Sequence, residues 1–236
     1  MDLKSLKKPE NCESLIQVTN LKFQYPRSTF ELHIPELQIG DGEKVAVIGP
    51  SGSGKTTLLN ILSGIIVAET GQVEFNGQQI NTMSDSELRN LRVKQIGFVF
   101  QDFKLLEYLN VYDNILLPYR INSSMPGVSG RGSKARELCE HLGVGDKLSK
   151  YPKHLSHGEK QRIAISRALI NDPPLVLADE PTGNLDPDNK ALILEILFKM
   201  SDANNSTLIT VTHDHELLDG FDRIIDFADF QKRAAL

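Results

Sequence analysis

A chain of 236 residues, 40% of them hydrophobic, has material for one large domain or two small lobes around a substantial core. Its net charge of -5 gives no electrostatic case for nucleic-acid binding; Cys12 and Cys139 are far apart and belong to no metal-ligand spacing, and a disulfide framework is not expected. Nowhere does the chain approach the ~20 apolar residues of a membrane span, so any membrane role falls to another chain.

The amino terminus, MDLKSLKKPENCES, carries lysines with no apolar stretch behind them; it is expected to be a polar tail over residues 1–14 and not a signal peptide. LIQVTNLKFQY (15–25) and FELHIPELQI (30–39) have strand-like composition. EKVAVIG (43–49) is a short apolar strand suited to burial on both faces of a parallel sheet. It runs into a glycine-rich turn and then a helix, KTTLLNILSG, that stops at Gly64. The Asn76-Gly77 pair in GQVEFNGQQI (71–80) marks a hairpin.

Ser84 and Glu87 fit a capping box at the start of a short helix, and QIGFVFQ (95–101) is the next strand candidate. Residues 121–134, rich in Ser, Gly and Pro, read as a connection and not a domain boundary. A helix at about 134–143, another from Glu159 to about Ile170 and the strand PLVLADE (174–180) follow. A helix from Pro187 to about Met200, capped by Asp186, leads to the strand TLITVTH (207–213). Strands alternating with helices imply an α/β fold with a parallel sheet, to which the antiparallel β-rich start and the helical middle are appended.

Two stretches carry recognisable chemistry. GPSGSGKT, Gly49 to Thr56, matches G-x-x-x-x-G-K-[ST] at every fixed position, between a strand and a helix. In that loop Gly49, Gly52 and Gly54 let the backbone, with Pro50, Ser51 and Ser53 between them, wrap round a phosphate at a helix N-terminus with its N–H groups pointing inward. Lys55 would reach the β- and γ-phosphates of a nucleotide, with the Thr56 hydroxyl on Mg²⁺ and Thr57 next along. The strand LVLADE ends in Asp179, at the sheet edge where α/β proteins bind ligands. Asp179 would hold Mg²⁺, and Glu180 could polarise or deprotonate an attacking water.

With these motifs in that order, residues 15 to 228 resemble the ATPase subunit of an ATP-binding cassette (ABC) transporter. The resemblance implies a P-loop NTPase core and a helical subdomain at about 102–172 that carries a signature motif, with 229–236 a C-terminal tail. Tyr25 resembles the family's adenine-stacking aromatic residue. Gln101 in VFQD stands at the position of the glutamine that senses Mg²⁺ and the transporter, so that Thr56, Gln101 and Asp179 form the metal set. LSHGE, with Ser156, His157, Gly158 and Glu159, resembles the signature LSGGQ. Asp186 in GNLD falls in the loop after the second acidic motif, and His213 in VTHD resembles the switch histidine that contacts the γ-phosphate. His213 and His215 alone are too few ligands for a metal site.

The resemblance further implies ATP and Mg²⁺ as cofactors and a head-to-tail homodimer enclosing two ATP molecules. In it, Ser156 and Gly158 complete the γ-phosphate shell of the other subunit. ADEPTGNLD (178–186), GFVFQDFKLL (97–106) and the compact length are similar to the subgroup serving lipoprotein release, macrolide export and cell-division control (LolD, MacB and FtsE). A separate membrane permease is then the expected partner, with this chain in the cytoplasm, peripheral on the inner face of the membrane. A nucleotide-gated regulator that moves no substrate is the alternative. FKLLEYLNVYDNILLPY (103–119) covers the region that receives the permease's coupling helix in the family. Glu107 stands where the subgroup often has proline, the tail lacks a clear final hairpin, and His157 replaces the signature's first glycine. If that position needs a positive φ, the histidine is strained.

Overall fold

The computed structural model describes residues 14–122, 125, 128, 130–183 and 185–230. The expected N-terminal tail apart from Ser14, Cys12, Asn184, the last six residues and part of the 121–134 connection lie outside them.

The chain opens with β1 (Ser14–Gln24) and β2 (Glu31–Gly40). They pair antiparallel, Val18 opposite Leu37 and Leu21 opposite Ile34. β3 (Lys44–Ile48) then leads through the glycine loop into α1 (Lys55–Leu62). β4 (Thr70–Phe75) and β5 (Gln78–Gln79) form the hairpin expected at Asn76-Gly77. Both turn residues have positive φ, 49° and 71°, as a two-residue turn matched to strand twist requires. The second strand is only two residues long, because a 3₁₀ turn takes over at Ile80–Thr82. α2 (Asp85–Gln95) begins at the expected capping box, with Ser84 N on Glu87 Oε2 at 2.8 Å.

β6 (Ile96–Val99) is followed by two short helices, α3 (Val111–Ile115) and α4 (Leu117–Ile121), then α5 (Arg131–His141) and α6 (His157–Leu169). β7 (Leu175–Asp179), α7 (Pro187–Asn204), β8 (Thr207–Val211) and β9 (Arg223–Asp226) complete the fold. α7 runs past Met200 to a left-handed cap at Asn205, whose short polar side chain tolerates that conformation. The edge strand β9 was not anticipated, since its four residues alternate between half-buried and exposed without a strong apolar run.

One sheet is antiparallel, in the order β2-β1-β4-β5; the other is parallel, in the order β6-β7-β8-β3-β9. The fold is therefore the α/β arrangement expected from the sequence. In the parallel sheet, side chains alternate between two cores. Leu175 and Leu177 of β7 pack with α1 and the antiparallel sheet, while Val176 and Ala178 pack with the helices α3, α5, α6 and α7. Every residue of β7 and β8 is buried, which is why both strands read as unbroken apolar runs.

Candidate functional site

The parallel strands all point the same way, so their carboxyl ends share one edge. Gly49 follows β3, Phe100 and Gln101 follow β6, Asp179 ends β7, and Thr212 and His213 follow β8. Residues scattered over much of the chain meet there, at the edge where open α/β sheets bind ligands.

The glycine loop is shaped by close approaches that a side chain would not survive. Gly54 has φ 104°, and a Cβ on it would lie 2.7 Å from the Phe30 ring. Gly49 has φ 143°, and its Cβ would press on Phe227 Cβ at 3.0 Å. The loop folds back on Lys55, whose ammonium donates to Gly49 O at 2.8 Å and Pro50 O at 2.9 Å. Lys55 and Ser53 are buried, and the Ser53 hydroxyl oxygen has no hydrogen-bond partner. Pro50, Ser51, Gly52 and Thr56 stand exposed around them. An unpartnered buried hydroxyl beside a buried cation fits an anion taken into the loop.

Thr56 Oγ1 donates to Asp179 Oδ1 at 3.2 Å. Burial pushes the Asp179 carboxyl above its ordinary value, and the charge of Glu180 adds to this against the opposing Thr56 hydroxyl and Lys55 ammonium. Two hard oxygen ligands, one of them a buried carboxylate short of counter-charge, fit a divalent cation that takes its remaining ligands from phosphate and water.

Glu180 takes φ 46° immediately after β7, while its own N–H remains on Val211 O at 3.0 Å. That left-handed turn carries its side chain between two others. Gln101 Nε2 donates to Glu180 Oε2 at 3.1 Å, and His213 Nδ1 lies 3.3 Å from Glu180 Oε1. Asp214, next to His213, is fixed by Lys190 at 2.7 Å, and the Lys190 hydrogen bond holds its carboxyl below the ordinary value. Tyr25 borders the loop from the other sheet: its hydroxyl is 3.2 Å from Thr57 Oγ1, and its half-exposed ring meets Phe23 edge-on at 4.7 Å.

Ser156, His157, Gly158, Glu159 and Asp186 form a second group. Among the described residues no hydrogen bond ties Ser156, His157 or Gly158 to the glycine loop of the same chain. Ser156 caps α6 in a full capping box: its N–H donates to Glu159 Oε2 at 2.7 Å, and Ser156 Oγ accepts from Glu159 N at 3.2 Å. That backbone bond is the main cause holding the Glu159 carboxyl below its ordinary value, with Lys147 assisting at 3.3 Å. Asp186 caps α7, accepting from Asn189 N at 3.1 Å. A Cβ on Gly158 would lie 3.4 Å from Asn189 Oδ1, so the two helix N-termini sit side by side. Helix α6 starts at His157, two residues before the expected Glu159, and His157 is not among the positive-φ residues. The condition for strain there is unmet: as the first helical residue His157 takes ordinary backbone angles that any side chain allows.

The ABC transporter family pattern matches residues 32–183. The chain belongs to the ABC transporter family. It is the ATP-binding, ATP-hydrolysing cassette of that family. The cassette is 40% identical over 222 residues to the uncharacterized ABC transporter ATP-binding protein YbbA of Escherichia coli (strain K12), covering 93% of this chain and 96% of that one. It is likewise 40% identical over 218 residues to the uncharacterized ABC transporter ATP-binding protein YknY of Bacillus subtilis (strain 168), covering 91% and 94%. Two solved dimeric structures of the bacterial ABC transporter cassette MJ0796 superpose on 89% of this chain and 93% of theirs. One is a post-hydrolysis state bound to ADP and Pi, with TM-score 0.80 and 32% identity. The other has TM-score 0.79 and 34% identity.

Sequence reasoning missed Phe227 and Phe30, which floor and wall the glycine loop of the cassette, because a phenylalanine just outside the end of a distant strand carries no motif. It also missed Arg167. That side chain is half-buried and donates to Phe103 O at 2.7 Å and Lys104 O at 2.5 Å. Burial pushes its guanidinium down to about 10. Phe103 and Lys104 both have positive φ, 61° and 47°, so Arg167 braces a strained turn just after Gln101.

Proposed function

We propose that this cassette is the motor subunit of a transporter whose permease is a separate membrane chain, and that it works as a homodimer closing on two ATP molecules. The observation that carries the reading is Glu180, held between Gln101 and His213 and one residue beyond the Asp179–Thr56 pair. Four strand ends deliver a general base, its orienting donors and a cation site to one spot, as γ-phosphate hydrolysis requires.

In this reading Tyr25 stacks on adenine, and the loop from Gly49 to Thr57 wraps the phosphates with its N–H groups. Lys55 leaves the Gly49 and Pro50 carbonyls for the β- and γ-phosphate oxygens. Thr56, Asp179 and Gln101 hold Mg²⁺, which when bound neutralises the phosphate charge. Glu180 orients a water in line with the γ-phosphate and accepts its proton, while His213 contacts the γ-phosphate. Ser156 donates its hydroxyl, and Gly158 its N–H, to the nucleotide of the other subunit. Both lie at the N-terminus of α6, where the helix dipole favours an anion. The Ser156 hydroxyl accepts from Glu159 N, and its proton, which the Glu159 carboxylate also attracts, turns to the nucleotide when that binds. Asp186, beside them at the start of α7, lies at the same interface.

The permease is of the lipoprotein-release or macrolide-export type, and the cassette lies against the cytoplasmic face of the membrane through it. Among the described residues no helix is long and apolar enough to cross a membrane. A cavity of about 320 Å³ between α2, β6, α4 and α6, lined by Ile65, Phe98, Phe100, Leu117, Pro118 and Ile121, is the place for a permease segment to dock. It opens beside Lys104 and thus next to the segment carrying Gln101.

Gel filtration of Glu180→Gln tests the reading. With ATP and Mg²⁺ this variant should run as a dimer that retains nucleotide, and adding Ser156→Ala should return it to monomer. A wild-type protein without Mg-ATP turnover, or a Glu180→Gln variant that stays monomeric at saturating ATP, would overturn it.

A further inference from the structure

His157 is the feature that family resemblance leaves over. It stands on the first turn of α6, exposed, and its ring meets the Phe103 ring at 6.0 Å between centroids with an interplanar angle of 64°. A glycine at this position would have no ring to offer. Phe103 lies two residues beyond Gln101, on the turn whose carbonyls Arg167 holds from farther along the same helix. α6 therefore grips this segment at two places: Arg167 binds its backbone, and His157 touches its side chain.

We propose that His157 is a positioning residue: its contact with Phe103 links the segment bearing Gln101 to the α6 N-terminus bearing Ser156 and Gly158. The inference rests on the functional reading above. Gln101 donates to Glu180 of its own subunit, whereas Ser156 and Gly158 serve the nucleotide of the other. A ring pair between these segments makes movement at one site shift the other, so the two halves of the dimer close together. Edge-to-face ring pairs attract beyond the area they bury, enough for about a two- to tenfold effect on a rate or equilibrium. That is a coupling large enough to measure and small enough to release in each cycle.

The experiment is a double-mutant cycle on steady-state ATPase with His157→Gly, Phe103→Leu and the pair, together with His157→Phe. Each single variant should lower kcat about two- to tenfold with the KM for ATP little changed, and the pair should lose no more than the worse single. His157→Phe, which keeps a ring but cannot titrate, should recover most of the His157→Gly loss. In the protein without nucleotide, Phe103→Leu should shift the NMR resonances of the His157 imidazole, reporting the contact independently of turnover. Thermal melts of all variants identify any that fail to fold, and the NMR arm then decides. Losses that add in the pair, an imidazole signal indifferent to Phe103→Leu, or His157→Phe no better than His157→Gly would each overturn the proposal. Absence of Mg-ATP turnover in the wild type would instead sink the functional reading on which it rests.

Discussion

The Gln101 amide donates to Glu180 Oε2 at 3.1 Å, joining residues 79 positions apart in the chain. Each sits just past the end of a strand, and β6 and β7 are neighbours in the parallel sheet. Glu180 reaches the amide only because its backbone turns left-handed directly after Asp179.

Replacing Gln101 by alanine removes that donor and leaves the Glu180 carboxylate with His213 on one side only. A hydrogen bond to a charged group contributes about 1.5–3 kcal/mol, so kcat should fall by about tenfold or more. ATP affinity, which depends mainly on the loop from Gly49 to Thr56, should change far less. Single-turnover hydrolysis alongside equilibrium binding separates the two effects; parallel losses in both would contradict this role.

Asp179 predicts a pH signature of the protein without nucleotide. Its folded-state carboxyl titrates above the ordinary value of 3.8, so between 3.8 and the raised value the folded chain binds more protons than the unfolded one. Stability is therefore lost as pH rises through that window. Asp179→Asn, which can still accept from Thr56, should melt higher than wild type at neutral pH. The gain should vanish below the ordinary aspartate range, while Mg²⁺-dependent turnover is abolished. Melting curves of both proteins from pH 3 to 8 check the sign.

Glu159 shows the opposite sign. Its carboxyl titrates below the ordinary 4.5, so the stability it contributes is present above that value and is lost as pH falls through the lower one. Glu159→Ala should destabilise by about 0.5–2 kcal/mol at pH 7 by opening the capping box of α6. The gap to wild type should close in acid. A gap that persists at pH 3 would place the loss elsewhere, in packing.

Phe227→Ala should lower stability by about 3–5 kcal/mol, because the ring is fully buried and packs against Phe230 at 5.3 Å. Since Phe227 also floors Gly49, the thermal shift produced by ATP should shrink. Phe230→Ala, which stands one step away from the loop, should lower the melting temperature with less effect on that shift. Differential scanning of the two variants with and without ATP distinguishes them.

How much of this was legible in the sequence depended on whether a residue's role is local. The glycine loop, the Ser84 and Asp186 caps and the Asn76-Gly77 turn each follow from a few adjacent residues, and all could be read directly. The doubly buried strands β7 and β8 were legible because burial on both faces leaves an unbroken apolar run. β9 was not, because this short edge strand only half-buries alternate residues and carries Arg223 and Asp226 at its ends. Arg167 was invisible for another reason: a lone arginine in a helix reads as a solvated charge until the fold wraps carbonyls around it. The start of α6, expected at Glu159, lies two residues earlier at His157, and whether that position needs a positive φ could not be read from the sequence. The helix in fact begins one residue after Ser156, so the substitution is free of strain.

The pairing of β9 with β3 also imposes an order on synthesis. Residues 49–56 leave the ribosome early, but the aromatic floor beneath Gly49 and the sheet edge supporting β3 come from residues 223–230. A nascent chain therefore carries the whole glycine-loop motif for most of its translation without the support that gives the motif its shape. The loop gains this support only after β9 has docked, so a chain truncated before residue 223 should bind ATP more weakly than the full one.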